Sequence, residues 1–271
     1  MHTNNTAVET TPDTTFTEKY IEVDGFRIRY MEAGQGTPLV HLHGAGGLSL
    51  SPVHHLLSQT HRVIAFEMPG FGHSAPNTQE TMSELAATMA HAISALGINT
   101  FDLMGTSFGA KTALYLALQA PERVLAVVLE SPAAIRSEES EPPSDPQKIR
   151  QAFHAHPERF PARPPDPEIH AKTWPMVERL LGRRRDPIFE EQLKHLAVPV
   201  LVLFGVEDGV ISPQMGRFYK ELLPTSHFVL VYDAAHDIAS DRPEAFTEVV
   251  NDFLERHEQF VNARNSTLLH P

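Results

Sequence analysis

The stretch of residues 101–120, FDLMGTSFGAKTALYLALQA, decides the fold of this 271-residue chain. Its first residues form a short apolar strand, and its last twelve have the apolar spacing of a helix. Gly105 and Gly109 flank Ser107, so the serine lies at a strand-to-helix turn, in strained backbone geometry with its hydroxyl projecting above the sheet. The helix N-terminus beneath it favours negative charge. The stretch therefore predicts a nucleophilic serine on an α/β sheet.

The rest of the chain alternates short apolar runs with helix-length amphipathic segments. The strand-like runs are PLVHLHG, HRVIAFEMPG, RVLAVVLE, VPVLVLFG and HFVLVYDAA, and the helical segments are 80–96, 108–120 and 243–260. Near-continuous Val and Leu runs separated by helices are typical of a parallel sheet covered on both faces. Near the start, the Asp24-Gly25 pair between β-rich flanks predicts an antiparallel edge hairpin.

One interval breaks this alternation and predicts an inserted unit. Residues 132–187 contain 11 of the 22 prolines, which interrupt strands and long helices and leave only short helices at 147–156 and 168–181. Its apolar residues favour a folded excursion over a disordered loop. The predicted organisation is a disordered tail at 1–15, an α/β core at 16–132 and 196–262, a helical cap at 133–195, and a C-terminal tail at 263–271.

Composition narrows the classes of function and partner. The net charge of −12 argues against nucleic acid and acidic membrane surfaces as partners, and no run is long enough to span a membrane. The absence of cysteine excludes thiolate nucleophiles and cysteine metal sites, and it fits a reducing compartment. The sequence predicts a cytoplasmic protein that acts on a small molecule, and it leaves a homodimer open.

A glycine-rich turn after the run PLVHL predicts an oxyanion hole. The turn is His43-Gly44-Ala45-Gly46-Gly47, and its small residues let backbone N–H groups approach a ligand closely. An oxyanion hole needs two donors, one from the residue after the nucleophile and one from such a loop. The expected donors are the backbone N–H groups of Phe108 and Ala45, with Gly44 and Gly46 beside the substrate.

A serine hydroxyl needs a base, and the base needs an orienting acid, at later strand ends. His236 follows the last strand-like run and precedes the final helix, which distinguishes it from the other fifteen histidines. Glu207 and Asp208 follow the run VPVLVLFG, and Glu130 ends the run RVLAVVLE, so three carboxylates are candidates for the acid. Asp237 and Asp241, close to His236, are expected to be surface charges near a helix start.

Residues 18 to 260 resemble the α/β-hydrolase fold family, in the branch of serine hydrolases with a helical cap inserted after strand six, which includes carboxylesterases and meta-cleavage-product hydrolases. The motifs that carry the resemblance are HGAGG, EMPGFGHS, GTSFG, GVEDGVISP and AAHDIASDRPEAF. The resemblance implies a mostly parallel eight-stranded sheet, Ser107 as nucleophile, His236 as base and Asp208 as acid. The chain departs from the family pattern at Glu67, Ala110 and Ala235, which affects loop geometry rather than a catalytic group.

Competing site chemistries are weaker. His41 and His43 are two residues apart in a strand, but no third ligand completes a metal spacing, so neither a metal nor a cofactor is expected. An aspartate would stand in place of Ser107 in the dehalogenase and epoxide-hydrolase relatives. The predicted cap supplies Phe153, Trp174 and Met176 as candidates for an apolar pocket wall.

Together these features predict a serine hydrolase that cleaves a carboxylic ester of a small, largely apolar molecule through an acyl-enzyme. A C–C bond hydrolase of ring-cleavage products, a lactonase and a thioesterase remain open, because all use the same triad. A non-enzymatic receptor on the same fold is disfavoured, since all three triad residue types and both oxyanion elements are present.

Overall fold

The computed structural model describes residues 15–138, 145–160 and 166–262. The predicted tails, 1–15 and 263–271, lie outside these ranges except for Thr15, and the bounds predicted for the core and the cap stay predictions. The strands are β1 (Thr17–Val23), β2 (Phe26–Ala33), β3 (Pro38–Leu42), β4 (Arg62–Phe66), β5 (Phe101–Thr106), β6 (Val124–Glu130), β7 (Val200–Gly205) and β8 (Ser226–Val231). The helices are α1 (Pro52–Leu57), α2 (Met82–Ala95), α3 (Phe108–Gln119), α4 (Pro146–Phe153), α5 (Pro167–Leu181), α6 (Pro187–Leu193), α7 (Met215–Leu222), α8 (Ile238–Asp241), α9 (Pro243–Arg256) and α10 (Glu258–Asn262).

The eight strands form one sheet in the order β1-β2-β4-β3-β5-β6-β7-β8. The pairs β1·β2 and β2·β4 are antiparallel, and every other neighbouring pair is parallel. The predicted hairpin is confirmed, with Val23 opposite Phe26 across a turn in which Asp24 and Gly25 both have positive φ. Because β3, β5, β6 and β7 are parallel, their carboxyl ends meet at one edge of the sheet, where the candidate catalytic residues follow them.

Both faces of the sheet are covered, as predicted. Alternate residues of one strand enter opposite cores: Leu103 lies in one apolar cluster with α2 and α3, and Met104 lies in the other with α1 and α9. This alternation follows from the two-residue period of a strand, and it explains why these strands are apolar throughout. Within the described ranges, no helix combines the length and apolar character that a membrane span requires.

Three helices, α4, α5 and α6, lie between β6 and β7, where the cap was predicted. We call residues 131–199, as far as they are described, the insertion. Each of its helices begins with an Asp-Pro pair, in which the carboxylate of Asp145, Asp166 or Asp186 accepts backbone N–H groups of the first turn. Proline at the first helical position has no unsatisfied N–H to lose, so here the prolines begin helices rather than only interrupt them.

The predicted helix 243–260 is divided in two. His257 has φ of 47°, in the left-handed region, and this residue ends α9 before α10 begins. The apolar pattern continues across the break because Phe253 and Phe260 pack edge to face, with ring centroids 5.5 Å apart. The continuous apolar spacing therefore predicted one helix where the backbone makes two.

Candidate active site

Ser107 lies between β5 and α3, with φ of 52° and ψ of −107°. This conformation is unfavourable for a residue with a side chain, and it presents the hydroxyl above the carboxyl edge of the sheet. The backbone around it is held from two sides: the Ser107 N–H donates to Glu130 O at 2.8 Å, and its carbonyl accepts from Ala133 N at 3.0 Å. The strained turn is thus fixed by β6 and by the segment that follows β6.

His236 connects Ser107 to Asp208. Its Nε2 is 3.0 Å from Ser107 Oγ, and its Nδ1 is 2.9 Å from Asp208 Oδ2. The His236 and Asp208 side chains are 4% and 0% exposed, so water does not compete for these hydrogen bonds. Asp208 is itself oriented, because its Oδ1 accepts the backbone N–H groups of Val210 and Ile211, both at 2.9 Å. The structure therefore brings together the three residues that the resemblance named.

The other two carboxylates named as candidate acids lie elsewhere. Glu207 is exposed. Glu130 is buried, but its Oε2 accepts from the Thr106 hydroxyl at 2.7 Å and its Oε1 accepts from Ala239 N at 2.8 Å. Burial, together with the charge of Asp237, raises the pKa of Glu130 to about 7. Of the three, Asp208 is the carboxylate that contacts the imidazole.

The glycine-rich turn lies beside Ser107, as an oxyanion loop requires. A Cβ on Gly44 would lie 3.5 Å from Ser107 Cβ, whereas nothing lies within 4 Å of the corresponding position on Gly46. Ala45 packs against the main core, and Phe108 is the first residue of α3, where backbone N–H groups lack intrahelical partners. The two predicted donors therefore lie on elements that meet at Ser107.

His43 holds this turn in place. Its Nδ1 donates to Gly44 O at 2.7 Å, and its Nε2 accepts from Met68 N at 3.0 Å, which ties the loop after β3 to the loop after β4. Burial lowers the pKa of His43 to about 4. The ring is therefore neutral near pH 7, in the tautomer that one acceptor and one donor require.

A buried chain of hydrogen bonds ends at Thr106, the residue before Ser107. Ser51 N donates to His54 Nδ1, His54 Nε2 lies 2.9 Å from His41 Nδ1, and His41 Nε2 lies 3.1 Å from Thr106 Oγ1. Thr106 then donates to Glu130, so every step has one donor and one acceptor when both histidines are neutral. Burial lowers the pKa of His54 to about 4 and that of His41 well below its usual value.

Neutral buried histidines make the stability depend on pH. The unfolded chain protonates His54 below pH 6.5, whereas the folded protein keeps it neutral until about pH 4. The stability that depends on neutral His54 is therefore complete above pH 6.5, and it is lost as the pH falls toward 4. We expect His54→Gln to reduce the slope of unfolding free energy against pH near pH 5 by about 1.4 kcal/mol per pH unit. Urea unfolding at a series of pH values measures this slope.

The matched control is His195→Gln, which removes a histidine whose side chain is 79% exposed. This control is expected to keep the parental slope. Equal slopes for His54→Gln and the parent would show that folded His54 takes up a proton over the same range as the unfolded chain.

Gly109 is required for the close approach of α3 to β3. A Cβ on Gly109 would lie 2.0 Å from Leu42 O and 2.5 Å from His43 O. Alanine is a better helix former than glycine, so this substitution would stabilise a helix with free space at that position. At Gly109 the added methyl group would instead force α3 away from the backbone of Leu42 and His43. We expect Gly109→Ala to lower the unfolding free energy by about 3 kcal/mol. Gly46→Ala, at an exposed position with open space, is expected to change it by less than about 0.5 kcal/mol.

Both variants are measured by chemical denaturation with the parent beside them. If Gly109→Ala were as stable as Gly46→Ala, there would be room for a methyl group between α3 and β3, which would contradict the close approach. The comparison separates a steric effect from the general effect of adding a methyl group, because both substitutions add the same atoms.

The predicted pocket residues of the insertion lie in different places. The Phe153 ring meets the His236 ring edge to face, with centroids 5.1 Å apart. Met176 is buried, and its sulfur lies against Gly70 in the loop after β4. Trp174 is 45% exposed, and its contacts lie within its own helix, where it stacks on His170 and donates to Glu178. Phe153 therefore contacts the His236 ring, whereas Trp174 contacts His170 and Glu178 of its own helix.

The prediction that Asp241 is a surface charge was wrong. Its side chain is 1% exposed. Its partners in the insertion are His154 and Ala155, 86 and more residues away along the chain, so local charge patterning could not find them. Both ring nitrogens of His41 and of His43 are already in hydrogen bonds, and the described residues contain no cluster of three or more side chains suited to a metal.

Comparisons with known proteins agree with the fold. A family model described as the alpha/beta hydrolase fold matches residues 37–167. The 2-hydroxy-6-oxo-6-(2'-aminophenyl)hexa-2,4-dienoic acid hydrolase of Metapseudomonas resinovorans is 24% identical over 93% of this chain and 95% of its own length. A pimeloyl-[acyl-carrier protein] methyl ester esterase of Neisseria meningitidis is 29% identical over 80% of this chain and 92% of its own length.

A solved structure of a serine hydrolase involved in carbazole degradation superposes with a TM-score of 0.75. It is 24% identical in sequence, and the match covers 89% of this chain and 99% of that one. The eight-stranded sheet and the match of the family model over residues 37–167 show the α/β-hydrolase fold. The chain's relatives include both a hydrolase of an oxo-dienoic acid and a methyl ester esterase.

Proposed function

We propose that the protein is a serine hydrolase that cleaves a carboxylic ester of a small, largely apolar molecule through an acyl-enzyme. The observation that carries the proposal is the continuous hydrogen-bonded set from Ser107 Oγ through His236 to Asp208. A serine hydroxyl becomes a nucleophile when a neighbouring base takes its proton as the bond to the carbonyl carbon forms. No metal or cofactor is needed for this reaction.

In the first half of the reaction, Ser107 Oγ attacks the carbonyl carbon and its proton moves to His236 Nε2. Asp208 accepts the Nδ1–H of the same ring, which fixes the tautomer with a free Nε2 and stabilises the imidazolium that forms. The tetrahedral intermediate then collapses: the bond to the alcohol oxygen breaks, and His236 gives its proton to that oxygen. An ester of Ser107 remains.

In the second half, water replaces the alcohol. His236 takes a proton from water as the water oxygen attacks the acyl-enzyme carbonyl, and it returns the proton to Ser107 Oγ when the carbon–oxygen bond of the acyl-enzyme breaks. The products are a carboxylic acid and the free enzyme. His236 returns each proton that it accepts, so the cycle needs no reactant other than the ester and water.

The carbonyl oxygen becomes negative twice in this cycle and needs fixed donors. Phe108 N–H at the start of α3 and Ala45 N–H in the loop after β3 are the proposed pair, supported by the proximity of Gly44 to Ser107. His43 keeps the loop in place through Gly44 O. Because these donors are backbone groups and the loop of Ala45 is held by His43, little reorganisation is needed when charge develops.

The proposed substrate is apolar because of what surrounds the triad. The Phe153 ring borders His236, Phe71 packs edge to face on both His43 and Phe108, and Met176 lies against the loop that carries Phe71. Aromatic and thioether side chains favour alkyl or aryl groups over charged ones. Esters of apolar acids with aryl or alkyl alcohols are therefore the proposed substrate class.

A second candidate is cleavage of a carbon–carbon bond in a ring-cleavage product. The Metapseudomonas relative, which acts on a hydroxy-oxo-hexadienoic acid, spans nearly the whole chain, and this supports the candidate. Such hydrolases usually have tryptophan close after the catalytic histidine, whereas this chain continues Asp237-Ile238-Ala239. Lactones and thioesters remain further substrates for the same triad.

A rate panel distinguishes these chemistries. We expect p-nitrophenyl acetate and butyrate to be hydrolysed with kcat/KM at least about tenfold above that for a 2-hydroxy-6-oxo-dienoic acid, because the site is proposed to favour apolar esters. A lactone and a thioester of the same acyl chain complete the panel. A preference for the dienoic acid would replace the ester proposal with the second candidate.

A further inference from the structure

A single buried carboxylate joins the insertion to the loop that carries His236. Asp241 Oδ2 accepts from Ala235 N and from Ala155 N, both at 2.9 Å, and Asp241 Oδ1 lies 3.1 Å from His154 Nδ1. The Asp241 side chain is 1% exposed and that of His154 is 18% exposed. The three donors satisfy both oxygens of the carboxylate in this buried position.

The three donors belong to two separate parts of the chain. Ala235 immediately precedes His236, whereas His154 and Ala155 follow α4 in the insertion. The His154 ring is stacked on Phe160 with centroids 4.0 Å apart, so its Nδ1–H is aimed at the carboxylate by packing. Asp241 therefore fixes the backbone on one side of the base and the α4 segment at the same time.

Two backbone hydrogen bonds run beside this contact and join the same parts. Gly209 N, next to Asp208, donates to Ala152 O at 3.2 Å, and Asp237 N, next to His236, donates to Phe153 O at 3.0 Å. These bonds hold residues 152–155 against the loops of both the base and the acid. They also place the Phe153 ring edge to face on the imidazole.

We infer that Asp241 is a positioning residue for His236, and that through the same carboxylate it holds Phe153 as the wall of the substrate site beside the imidazole. This inference rests on the proposed function for its kinetic consequences. The base must stay within hydrogen-bond distance of Ser107 during two proton transfers, and an error of about 1 Å in such a geometry lowers rates about a hundredfold. Anchoring Ala235 limits movement of the ring toward or away from Ser107.

The main test is Asp241→Asn, which keeps the shape and replaces one acceptor oxygen by a donor. The amide oxygen can keep the two backbone N–H contacts only with its NH₂ group facing His154 Nδ1, so the hydrogen bond from His154 Nδ1–H to a carboxylate is lost or replaced by a neutral one. The neutral oxygen also holds Ala235 N less strongly than a carboxylate oxygen does. We expect kcat for p-nitrophenyl butyrate to fall by about tenfold to a hundredfold, and KM to rise as well because Phe153 is held less firmly beside the imidazole. Asp241→Ser, which keeps one acceptor, replaces this variant if it does not fold.

The matched control is Asp233→Asn. Asp233 lies in the same loop and pairs with His156 of the insertion at 2.6 Å, but its side chain is 48% exposed. This control removes a carboxylate between the same two parts of the chain without touching Ala235, and it is expected to keep the parental kcat. His154→Ala removes one of the two donors from the insertion and leaves the contact of Asp241 with Ala235, so it is expected to change KM more than kcat.

A measurement without turnover tests the inference separately from the proposed function. The His236 Nδ1 proton, hydrogen-bonded to Asp208, gives a downfield NMR signal that is assigned by its absence in His236→Gln. We expect this signal to broaden or disappear in Asp241→Asn and to persist in Asp233→Asn. Unchanged kcat and an unchanged signal in Asp241→Asn, with only a lower melting temperature, would overturn the inference and leave Asp241 a structural residue.

The two failures have different signatures. If the parent hydrolyses no ester and its Ser107 is not labelled by a fluorophosphonate, the proposed function fails, and the NMR comparison still decides the positioning of His236. If the parent is active and Asp241→Asn is equally active with the parental imidazole signal, the positioning role fails and the proposed function stands.

Discussion

Replacing Ser107 by alanine is expected to lower kcat for p-nitrophenyl butyrate by at least about ten-thousand-fold. The substitution removes the protein atom that is proposed to bond with the acyl carbon, and it leaves His236 without the hydroxyl that lies 3.0 Å from its Nε2. The residual rate would come from the oxyanion donors and from binding alone. Initial rates at saturating ester, with the melting temperature measured beside them, test this prediction.

The control for this prediction is Ser94→Ala, at an exposed position of α2 where the hydroxyl donates only to a carbonyl of its own helix. This variant is expected to keep the parental rate. If Ser107→Ala retained more than about one hundredth of the parental kcat, a different nucleophile would have to act and the acyl-enzyme mechanism proposed above would be wrong.

Replacing Asp208 by asparagine is expected to lower kcat by about ten-thousand-fold. Asp208 Oδ1 accepts two backbone N–H groups, from Val210 and Ile211, so the amide oxygen of asparagine must take that position. The NH₂ group then faces His236 Nδ1 and donates to it, which places the ring proton on Nε2. An Nε2 that carries a proton cannot accept one from Ser107, so the base is lost although its position is kept.

Glu207→Gln is the matched control, since Glu207 is the adjacent carboxylate and is exposed. It is expected to keep at least about half of the parental kcat, because an exposed carboxylate beside the site contributes little. Similar large losses in both variants would indicate that net charge in this loop, rather than the tautomer of His236, controls the rate. A large loss in the Glu207 variant alone would identify Glu207 as the acid.

Local pattern was sufficient for much of the fold. The strand-turn-helix at Ser107, the hairpin at Asp24 and Gly25, and the apolar strands of a sheet covered on both faces depend on spacing within a few residues, and the structure confirms each of them. The bounds of single helices were less accurate. The break at His257 depends on one left-handed residue that an apolar pattern does not reveal.

Contacts between distant parts of the chain could not be predicted from the spacing of neighbouring residues. The strand spacing of His41 and His43 raised a metal site as an alternative, but β3 ends at Leu42, and the partner of His41 is His54 in α1. Asp241 has the pattern of a surface charge, and only the packing of α4 over the His236 loop buries it. The resemblance implied Asp208 rather than Glu130 as the acid, and of the two it is Asp208 that contacts the imidazole.

The central claim is that Ser107 is a nucleophile activated by His236, and active-site labelling with a fluorophosphonate tests it most directly. A fluorophosphonate forms a stable bond only with an activated hydroxyl, and peptide mass spectrometry locates the bond. We expect one label per chain on Ser107 and no label in Ser107→Ala. In His236→Ala we expect labelling to be slower by at least about a thousandfold. A stoichiometric label on another residue, or an unlabelled Ser107 in folded protein that hydrolyses esters, would contradict it.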